Sequence, residues 1–257
     1  MNNNNSQKAI EYFHIVLADT RIEVECLHRN VFYLCKDYLG SFDHADLTVS
    51  VTQQEIDARR RVFSYLVSDS TISVTTDTDD LIESTILHER IAEKLLPLNT
   101  VLMHGAVVAY DNYAYMFIAP SGTGKTTRAK IWMSEYPGSI IVNGDKPFLR
   151  VTDVSVNAYG SPWCGKEGWN TNTRVPLQSI FLLERVNNGE DSSIEEISLG
   201  KAFPILLQET YRPTDSAAMR NTIHILTSMG KYVKFFRFRS APTVEAIRLA
   251  YDAARPR

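Results

Sequence analysis

Eight consecutive residues have the composition of a phosphate-binding loop, Ala119-Pro120-Ser121-Gly122-Thr123-Gly124-Lys125-Thr126. Successive backbone N–H groups of such a loop converge on the β-phosphate of a nucleotide, and glycines let the backbone curl where a Cβ would block the phosphate. Lys125 would reach the β- and γ-phosphate oxygens, and the Thr126 hydroxyl would ligate Mg²⁺. The run therefore predicts binding of a nucleoside triphosphate.

The patterns on either side of this run are those that the mechanism requires. Tyr113–Ile118 predicts a strand, and Thr127–Met133 predicts a helix that ends at Pro137-Gly138. The helix would add its positive N-terminal end to the bound anion. We favour this interpretation over a solvated glycine-rich turn. The triphosphate is therefore assigned to Ser121, Gly122, Thr123, Gly124, Lys125, Thr126 and Thr127.

A carboxylate follows the next predicted strand. The apolar run Ser139–Val142 ends at Asn143-Gly144-Asp145, and Asp145 lies 20 residues beyond Lys125. Asp145 should therefore emerge at the same sheet edge as the nucleotide, where it could bind Mg²⁺ or accept the proton of an attacking hydroxyl. The alternative is a turn aspartate, because Asn-Gly-Asp is a common turn composition.

A long irregular segment, Gly160–Asn170, supplies further candidates. Lys166 or Arg174 could neutralise charge on a transferred phosphoryl group, and Glu167 could be a second metal carboxylate. The candidate magnesium ligands are thus Thr126, Asp145 and Glu167. Each charge could equally be a solvated loop residue. Two further alternatives stay open, namely that Trp163 and Trp169 form a platform for adenine or the acceptor, or that they only pack the loop.

The composition of the whole chain excludes several classes of protein. In 257 residues, 27 basic and 30 acidic side chains give a net charge of −3, which provides no general attraction to nucleic acid or anionic membrane. The three cysteines are too scattered for a disulfide framework or a zinc site. No apolar stretch approaches the length of a membrane span. We expect a soluble, cytoplasmic protein in which Met1–Ser6 is a disordered lead-in and Arg59–Arg61 a solvated helix face.

Hydrophobic periodicity predicts a small N-terminal α+β unit over residues 1–98. The predicted strands of this unit are Tyr12–Leu17, Ile22–Cys26, Leu47–Val51 and Ile72–Thr75. The predicted helices are Val31–Leu39, closed by Gly40, and one that begins at Asp79 or Asp80 and continues to Leu95.

The second region, residues 99–257, is predicted to begin with strands and end with helices. Beyond the elements already named, the predicted strands are Val101–Tyr110, Phe148–Val151, Val154–Tyr159, Leu177–Leu183 and Tyr232–Phe238. Hairpins are expected at Asp111-Asn112 and at Thr152-Asp153. The predicted helices are Leu199–Tyr211, Ser216–Met229 and Thr243–Ala254.

Several of these runs together resemble a known family. His104-Gly105, then Ser121–Thr127, then Val142–Pro147 resemble the kinase domain of HPr kinase/phosphorylase, and the loop is also similar to that of ATP-dependent phosphoenolpyruvate carboxykinase. Tyr159–Lys166 resembles a run in poorly characterised bacterial HPr-kinase-like proteins. The resemblance covers about residues 100 to 185. It implies an α/β fold tending to α+β: a mixed β-sheet P-loop kinase core of the HPr kinase/phosphoenolpyruvate carboxykinase type, with the N-terminal α+β unit and C-terminal helices.

The resemblance also implies an activity. Residues 99–257 would be an ATP-binding kinase domain that uses ATP and Mg²⁺ to phosphorylate a serine-type hydroxyl of a peptide, protein or small metabolite. It implies a catalytic position for Asp145 and a place near the phosphates for His104, although a lone strand histidine is by itself more often a packing residue. The family carries an adjacent acidic pair where this chain has Gly144-Asp145. Glu167 is our candidate for the replacement of the missing acid. A nucleotide-binding sensor with little turnover is the alternative, and formation of a homo-oligomer stays open.

Overall fold

The computed structural model describes residues 11–68, 78–186 and 190–256, with the backbone alone for residues 63–68. The predicted strand Ile72–Thr75 and the predicted lead-in Met1–Ser6 lie outside the described residues. The chain divides into two compact units, Met1–Ile91 and Ala92–Arg257. The division into domains 1–98 and 99–257 stays a prediction, since compactness does not establish independent folding.

The first unit combines a small sheet with helices. Its sheet has the order β1-β2-β3, in which β1 and β2 are antiparallel and β3 runs parallel to β2. The final helix begins in this unit and crosses the division between the units. The elements are β1 (Glu11–Leu17), β2 (Thr20–Cys26), α1 (Arg29–Leu34), β3 (Leu47–Ser50), α2 (Gln53–Ser68) and α3 (Asp79–Leu95).

The predicted N-terminal hairpin is present, but the helix after it is shorter than predicted. Ala18 and Asp19 take positive φ angles of 48° and 53°, as a tight turn between twisted strands requires. The prediction of one helix over Val31–Leu39 is wrong, because the α-helix ends at Leu34 and a 3₁₀ turn follows over Lys36–Tyr38. This tighter turn accompanies the burial of Tyr38 in the core.

The second unit contains a mixed sheet flanked by helices. The sheet order is β4-β8-β9-β10-β6-β5-β7, with β12 beside β10 and β11 beside β12. The strands are β4 (Thr100–Leu102), β5 (Ala106–Tyr110), β6 (Tyr113–Ile118), β7 (Ile140–Asn143), β8 (Phe148–Val151), β9 (Val156–Tyr159), β10 (Arg174–Arg185), β11 (Ser193–Ile197) and β12 (Lys234–Ser240). The helices are α4 (Lys125–Glu135), α5 (Leu199–Glu209), α6 (Ser216–Met229) and α7 (Val244–Ala254).

Strand β10 joins the two parts of this sheet. Its first residues pair antiparallel with β9, and after an irregularity between Leu177 and Ser179 it runs parallel to both β6 and β12. The carboxyl ends of β6, β10 and β12 therefore lie at one edge. One face of the sheet packs on α5 and α6, and the other packs on α4 and α7. The unit is thus a mixed α/β structure.

The prediction of one continuous strand over Val101–Tyr110 is wrong in an informative way. The strand breaks at Met103–Gly105, where the main-chain N–H groups turn to other segments. Met103 N–H donates to the Pro147 carbonyl (3.1 Å), His104 N–H to that of Glu209 (2.7 Å), and Gly105 N–H to that of Asp145 (2.9 Å). A Cβ on Gly105 would lie 2.8 Å from the Phe117 carbonyl oxygen. The β5–β6 hairpin about Asp111-Asn112 is present.

Three other features differ from the sequence predictions. Helix α2 and strand β11 have no predicted counterpart. The basic run Arg59–Arg61 lies on α2, but Arg59 pairs with Glu89 and Arg60 with Asp79, so the run is not simply a solvated face.

Across the described parts of the chain, every helix is too short or too polar to cross a membrane.

Candidate functional site

A cleft of about 580 Å³ opens where β6 passes through the glycine-rich loop into α4. Four separate segments of the second unit line it, and they include ten of the twelve residues that the sequence suggested for the site. These ten residues are His104, Ser121, Gly122, Gly124, Lys125, Thr126, Thr127, Asp145, Lys166 and Glu167.

The glycine-rich loop has the backbone conformation that its glycines predict. Gly122 and Gly124 take positive φ angles of 78° and 103°, and α4 begins directly after Gly124. Arg128 Nη1 donates to the Thr123 carbonyl (3.1 Å), and an Arg185 N–H donates to the Gly122 carbonyl. Because the C=O and the following N–H of a planar peptide point in opposite directions, these contacts turn the N–H of Gly124 away from the arginines. The loop therefore directs the Gly124 N–H away from these cations, as binding of an anion would require, whereas the Thr123 N–H donates to the Pro120 carbonyl at 3.3 Å.

The Lys125 side chain is buried at the base of this loop. It is 7% exposed, and its ammonium donates to the Ala119 carbonyl at 2.7 Å. Burial lowers the pKa of Lys125, whereas the nearby charges of Glu209 and Asp145 act in the opposite direction. Burying a cation beside a glycine-rich turn lowers the stability of the fold. Such costly arrangements are typical of binding sites.

His104 lies between two carboxylates. Its Nε2 is 3.1 Å from Asp145 Oδ1, and its Nδ1 is 2.8 Å from Glu209 Oε2. The break in the predicted strand positions this histidine, since the main chain of Met103–Gly105 bonds to both neighbouring segments. The arrangement is a carboxylate–histidine–carboxylate chain with one end in the cleft.

Asp145 is held in its ionised form. Burial raises its pKa, but the hydrogen bond from His104 and the charges of Lys146, His104 and Lys125 together outweigh burial, so the net shift of the Asp145 pKa is downward. Among the described residues, only His104 makes a hydrogen bond to this carboxylate, through Oδ1. The Oδ2 atom is therefore available to a metal ion or a substrate hydroxyl.

The turn that carries Asp145 is fixed by Asn143. Its Oδ1 accepts the N–H groups of Asp145 (2.8 Å) and Lys146 (2.6 Å), and its Nδ2 donates to the Ser161 carbonyl (3.0 Å). Gly144 N–H donates to the Trp169 carbonyl at 2.8 Å. This network joins the turn to the irregular segment Gly160–Asn170, so Lys166 and Glu167 face Asp145 across the cleft.

Gly144, the residue before Asp145, lies close to the backbone of the irregular segment Gly160–Asn170. A Cβ at this position would lie 3.0 Å from the Cys164 carbonyl oxygen and 3.4 Å from that of Trp169. Both atoms belong to the backbone of Gly160–Asn170, which we call the covering segment. This backbone would have to move to admit a side chain. An aspartate at position 144 would therefore make unusually tight contacts and require this backbone to shift by a few tenths of an ångström.

Two residues that the sequence suggested lie outside the cleft. Thr123 faces the neighbouring depression instead, and its hydroxyl donates to the Pro120 carbonyl at 2.8 Å. Arg174 begins β10 and pairs with Tyr159, at the opposite end of the strand from Arg185, which contacts the glycine-rich loop. Closeness in sequence to the Gly160–Asn170 segment did not bring Arg174 to the site. The Trp169 ring lies 5.0 Å from Lys130 Nζ, measured to the ring centroid, and both roles considered for Trp169 stay open.

Sequence reasoning missed Glu209. It is the last residue of α5 and lies 105 positions from His104, and nothing in the local pattern separates it from a solvated glutamate at a helix end. Its signal is purely spatial, because its side chain is 5% exposed and contacts a site histidine. Asn143 and Ser161 were also missed as organisers of the Asp145 turn.

Comparison with solved structures gives a distant likeness. No protein-family model matches the chain, and no curated protein matches it. Among solved structures, the HPr(Ser) kinase/phosphatase from Coxiella burnetii is similar, with a TM-score of 0.35 and 9% identity over 59% of this chain and 89% of that chain. A likeness of this degree assigns neither fold nor activity, so the function proposed below depends on the residues of the cleft.

Proposed function

We propose that this protein is an ATP-dependent kinase that transfers the γ-phosphoryl group to a serine-type hydroxyl of a peptide, protein or small metabolite. One observation carries the proposal: a single cleft brings together the glycine-rich loop, buried Lys125, Thr126 and an ionised Asp145. These are the parts that phosphoryl transfer uses, namely an anion cradle, a cation for the phosphates and a carboxylate facing them.

The second unit also has room for the rest of a nucleotide. A depression of about 420 Å³ adjoins the cleft and shares Gly122, Gly124 and Thr127 with it. It lies at the carboxyl ends of β10 and β12, where Arg185 and Pro242 contribute to its walls. Ligands of open α/β sheets bind outside the carboxyl ends of the strands. With the phosphates in the cleft, the nucleoside would occupy this depression.

The cleft also fits a magnesium ion shared with the phosphates. No group of three or more His, Cys, Asp or Glu able to hold a metal alone occurs in the described part of the chain. Mg²⁺ commonly takes only one or two protein carboxylates and completes its shell with phosphates and water. Thr126 and Glu167 are the oxygen donors that would hold it directly, and Asp145 would contact it through a water molecule. When bound, the ion would neutralise charge on the phosphate oxygens.

The transfer follows from the positions of the side chains. The acceptor oxygen forms a bond to the γ-phosphorus while the bond between that phosphorus and the bridging oxygen breaks, and ADP leaves with the electron pair. The hydroxyl proton goes to Asp145, whose free Oδ2 accepts a hydrogen bond from the acceptor. Lys125 balances negative charge on the phosphates. A lowered Asp145 pKa is compatible with this role, because a loose transition state needs an oriented hydroxyl more than a strong base.

Incubation with γ-labelled ATP, Mg²⁺ and candidate hydroxyl acceptors tests the proposal. We expect label to move to an acceptor, and we expect Lys125→Ala and Asp145→Asn to lower kcat by about 10²- to 10⁴-fold. Lys201→Ala and Asp252→Asn are matched controls, since both residues are exposed and lie outside the cleft. Full transfer by Asp145→Asn would refute the role of that carboxylate.

A second candidate function has its own supporting observation. Gly144 supplies no second acid beside Asp145, and its surroundings are tightly packed, so a nucleotide-binding sensor with little turnover is the alternative. Transfer of label separates the two candidates from each other, and calorimetry with Mg²⁺-ATP tests the ATP binding that both of them require. A sensor binds ATP without labelling any acceptor, whereas absence of magnesium-dependent ATP binding would exclude both.

A further inference from the structure

Glu209 is the carboxylate of this region that the transfer step does not use. Its side chain is 5% exposed, and a buried carboxylate needs a hydrogen-bonded partner to be tolerated. That partner is His104, whose Nδ1 lies 2.8 Å away. The Glu209 main-chain carbonyl also accepts the His104 N–H at 2.7 Å. Both the backbone and the side chain of Glu209 therefore hold the same histidine.

The end of α5 is fixed firmly enough to serve this purpose. Tyr211 N–H donates to the Leu102 carbonyl at 2.9 Å, and Thr210 pairs with Met103 as an isolated β-bridge. The Thr210 hydroxyl donates to the Leu206 carbonyl at 2.7 Å. These bonds join the helix end to the segment that carries His104, so the carboxylate and the imidazole have little freedom to separate.

This contact decides how His104 meets Asp145. A carboxylate can only accept, so Nδ1 must carry the proton that it donates to Glu209. Nε2 lies 3.1 Å from Asp145 Oδ1, which is also an acceptor, so Nε2 likewise carries a proton and the anchored ring donates to both carboxylates. Asp145 is in turn held with Oδ2 available. The charge of Glu209 also acts on Lys125, where it opposes the lowering of the pKa by burial.

We propose that Glu209 is the positioning residue of His104, and that through it α5 supplies the second carboxylate that Gly144 cannot provide. This proposal rests on the kinase function proposed above, and it concerns a residue that touches neither nucleotide nor acceptor. Glu209 acts through His104 on the orientation of Asp145. Glu167, across the cleft, then serves the metal and not the acceptor.

A double-mutant cycle on the full chain tests this role, with Glu209→Gln, His104→Gln and the double variant. We expect Glu209→Gln to lower kcat about 10- to 100-fold while the KM for ATP stays within about twofold. In the His104→Gln background the same change should alter kcat by less than about twofold, because the residue through which it acts is gone. Glu196→Gln, on exposed β11, is the matched control. Equal effects of Glu209→Gln in both backgrounds would overturn the proposal.

A second measurement separates failure of this proposal from failure of the kinase function. Nuclear magnetic resonance of the wild-type protein labelled at histidine nitrogens detects the Nδ1 proton of His104 and its exchange with water, and it requires no activity and no variant. We expect a slowly exchanging Nδ1 proton. Rapid exchange, or a proton on Nε2 alone, overturns the positioning role even in an active kinase. A protected Nδ1 proton in a protein that transfers no phosphate refutes the kinase function and with it the proposed use of Glu209.

Discussion

Two histidines among the described residues each lie between two carboxylates, and one of them, His104, lines the candidate cleft. In the first unit, His28 Nδ1 is 2.7 Å from Glu83 Oε2, and its Nε2 is 4.0 Å from Asp79 Oδ2. In the second unit, His104 makes the corresponding contacts with Glu209 and Asp145, at 2.8 Å and 3.1 Å. Composition alone does not distinguish the two clusters. Their surroundings do.

The carboxylates of the His28 cluster are occupied by structural partners. Glu83 is fully buried, and it accepts the main-chain N–H groups of Leu27 (2.6 Å) and His28 (3.0 Å). Asp79 begins α3 and pairs with Arg60. Glu83 thus ties α3 to the chain that leaves β2.

The hydrogen-bonding capacity of the His104 cluster, by comparison, is not fully used by the described residues. Asp145 keeps one carboxylate oxygen for a ligand, and it lies beside a buried lysine and a glycine-rich helix start. A histidine between two carboxylates is therefore not enough to indicate a functional site. What indicates one is that these polar groups line a cleft that a ligand can enter.

The largest effect expected from this comparison comes from exchanging each histidine for glutamine. His104→Gln should lower kcat for phosphotransfer about 10²-fold, because Asp145 loses its oriented partner. His28→Gln should leave kcat within about twofold and instead lower the free energy of unfolding by about 1 kcal/mol, the worth of a buried hydrogen bond. Transfer assays and urea unfolding of both variants give the two readouts. Loss of kcat in His28→Gln with an unchanged unfolding midpoint would break the comparison.

For stability we expect the larger effect in the His28 cluster, where Glu83→Gln should cost more than Glu209→Gln does in the His104 cluster. The Glu83 carboxylate accepts hydrogen bonds from two main-chain N–H groups, and Glu83→Gln would place an NH₂ group against one of these donors. We therefore expect the free energy of unfolding to fall by about 1–3 kcal/mol. Glu209→Gln should cost less, since its side chain accepts from His104 alone among the described residues. Denaturation followed by circular dichroism measures both. A larger stability loss for Glu209→Gln would mean that the end of α5 is chiefly structural.

The sequence predicted the parts of the site that depend on local geometry. The glycine-rich run requires positive φ angles and a helix start, and Gly122, Gly124 and α4 have them. The position of Asp145 after a buried strand placed it at the correct sheet edge. Hairpins with Asn or Asp at their tips were predictable for the same reason, because turn chemistry is local.

The rest depended on contacts that sequence spacing does not encode. The break at His104 arises because three main-chain N–H groups bond to segments about 40 and 105 residues away, while hydrophobic periodicity alone extended the strand through it. Glu209 has the same origin. Arg174 shows the converse error, since β10 carries it away from the covering segment that precedes it in sequence. Such placements depend on how strands pair and on which connections cross the sheet, and neither property leaves a pattern in the local sequence.

A smaller effect concerns the buried cation that the His28 cluster lacks. A lysine whose folded-state pKa is lowered destabilises the fold at every pH below that pKa, and the penalty disappears as pH rises above the unfolded value of 10.5. Wild-type protein should therefore gain stability relative to Lys125→Met as the pH is raised from neutral to above 10.5. Melting temperatures of the pair across this range measure the gain. A difference independent of pH would show that Lys125 carries no burial penalty.

The smallest expected effect tests whether the His28 cluster is closed to solvent. Cys26 Sγ lies 3.4 Å from the His28 carbonyl, and burial, followed by the negative charges of Glu83 and Glu11, raises the pKa of this thiol to about 12. At pH 8 only about one thiol in 10⁴ would be ionised, and the thiolate is the nucleophile. Iodoacetamide should therefore leave Cys26 unmodified in the native protein and label it in urea, as mass spectrometry of peptides would show. Rapid native labelling would mean that water and reagents reach His28, and its carboxylates would then have to be treated as an open site like that of His104.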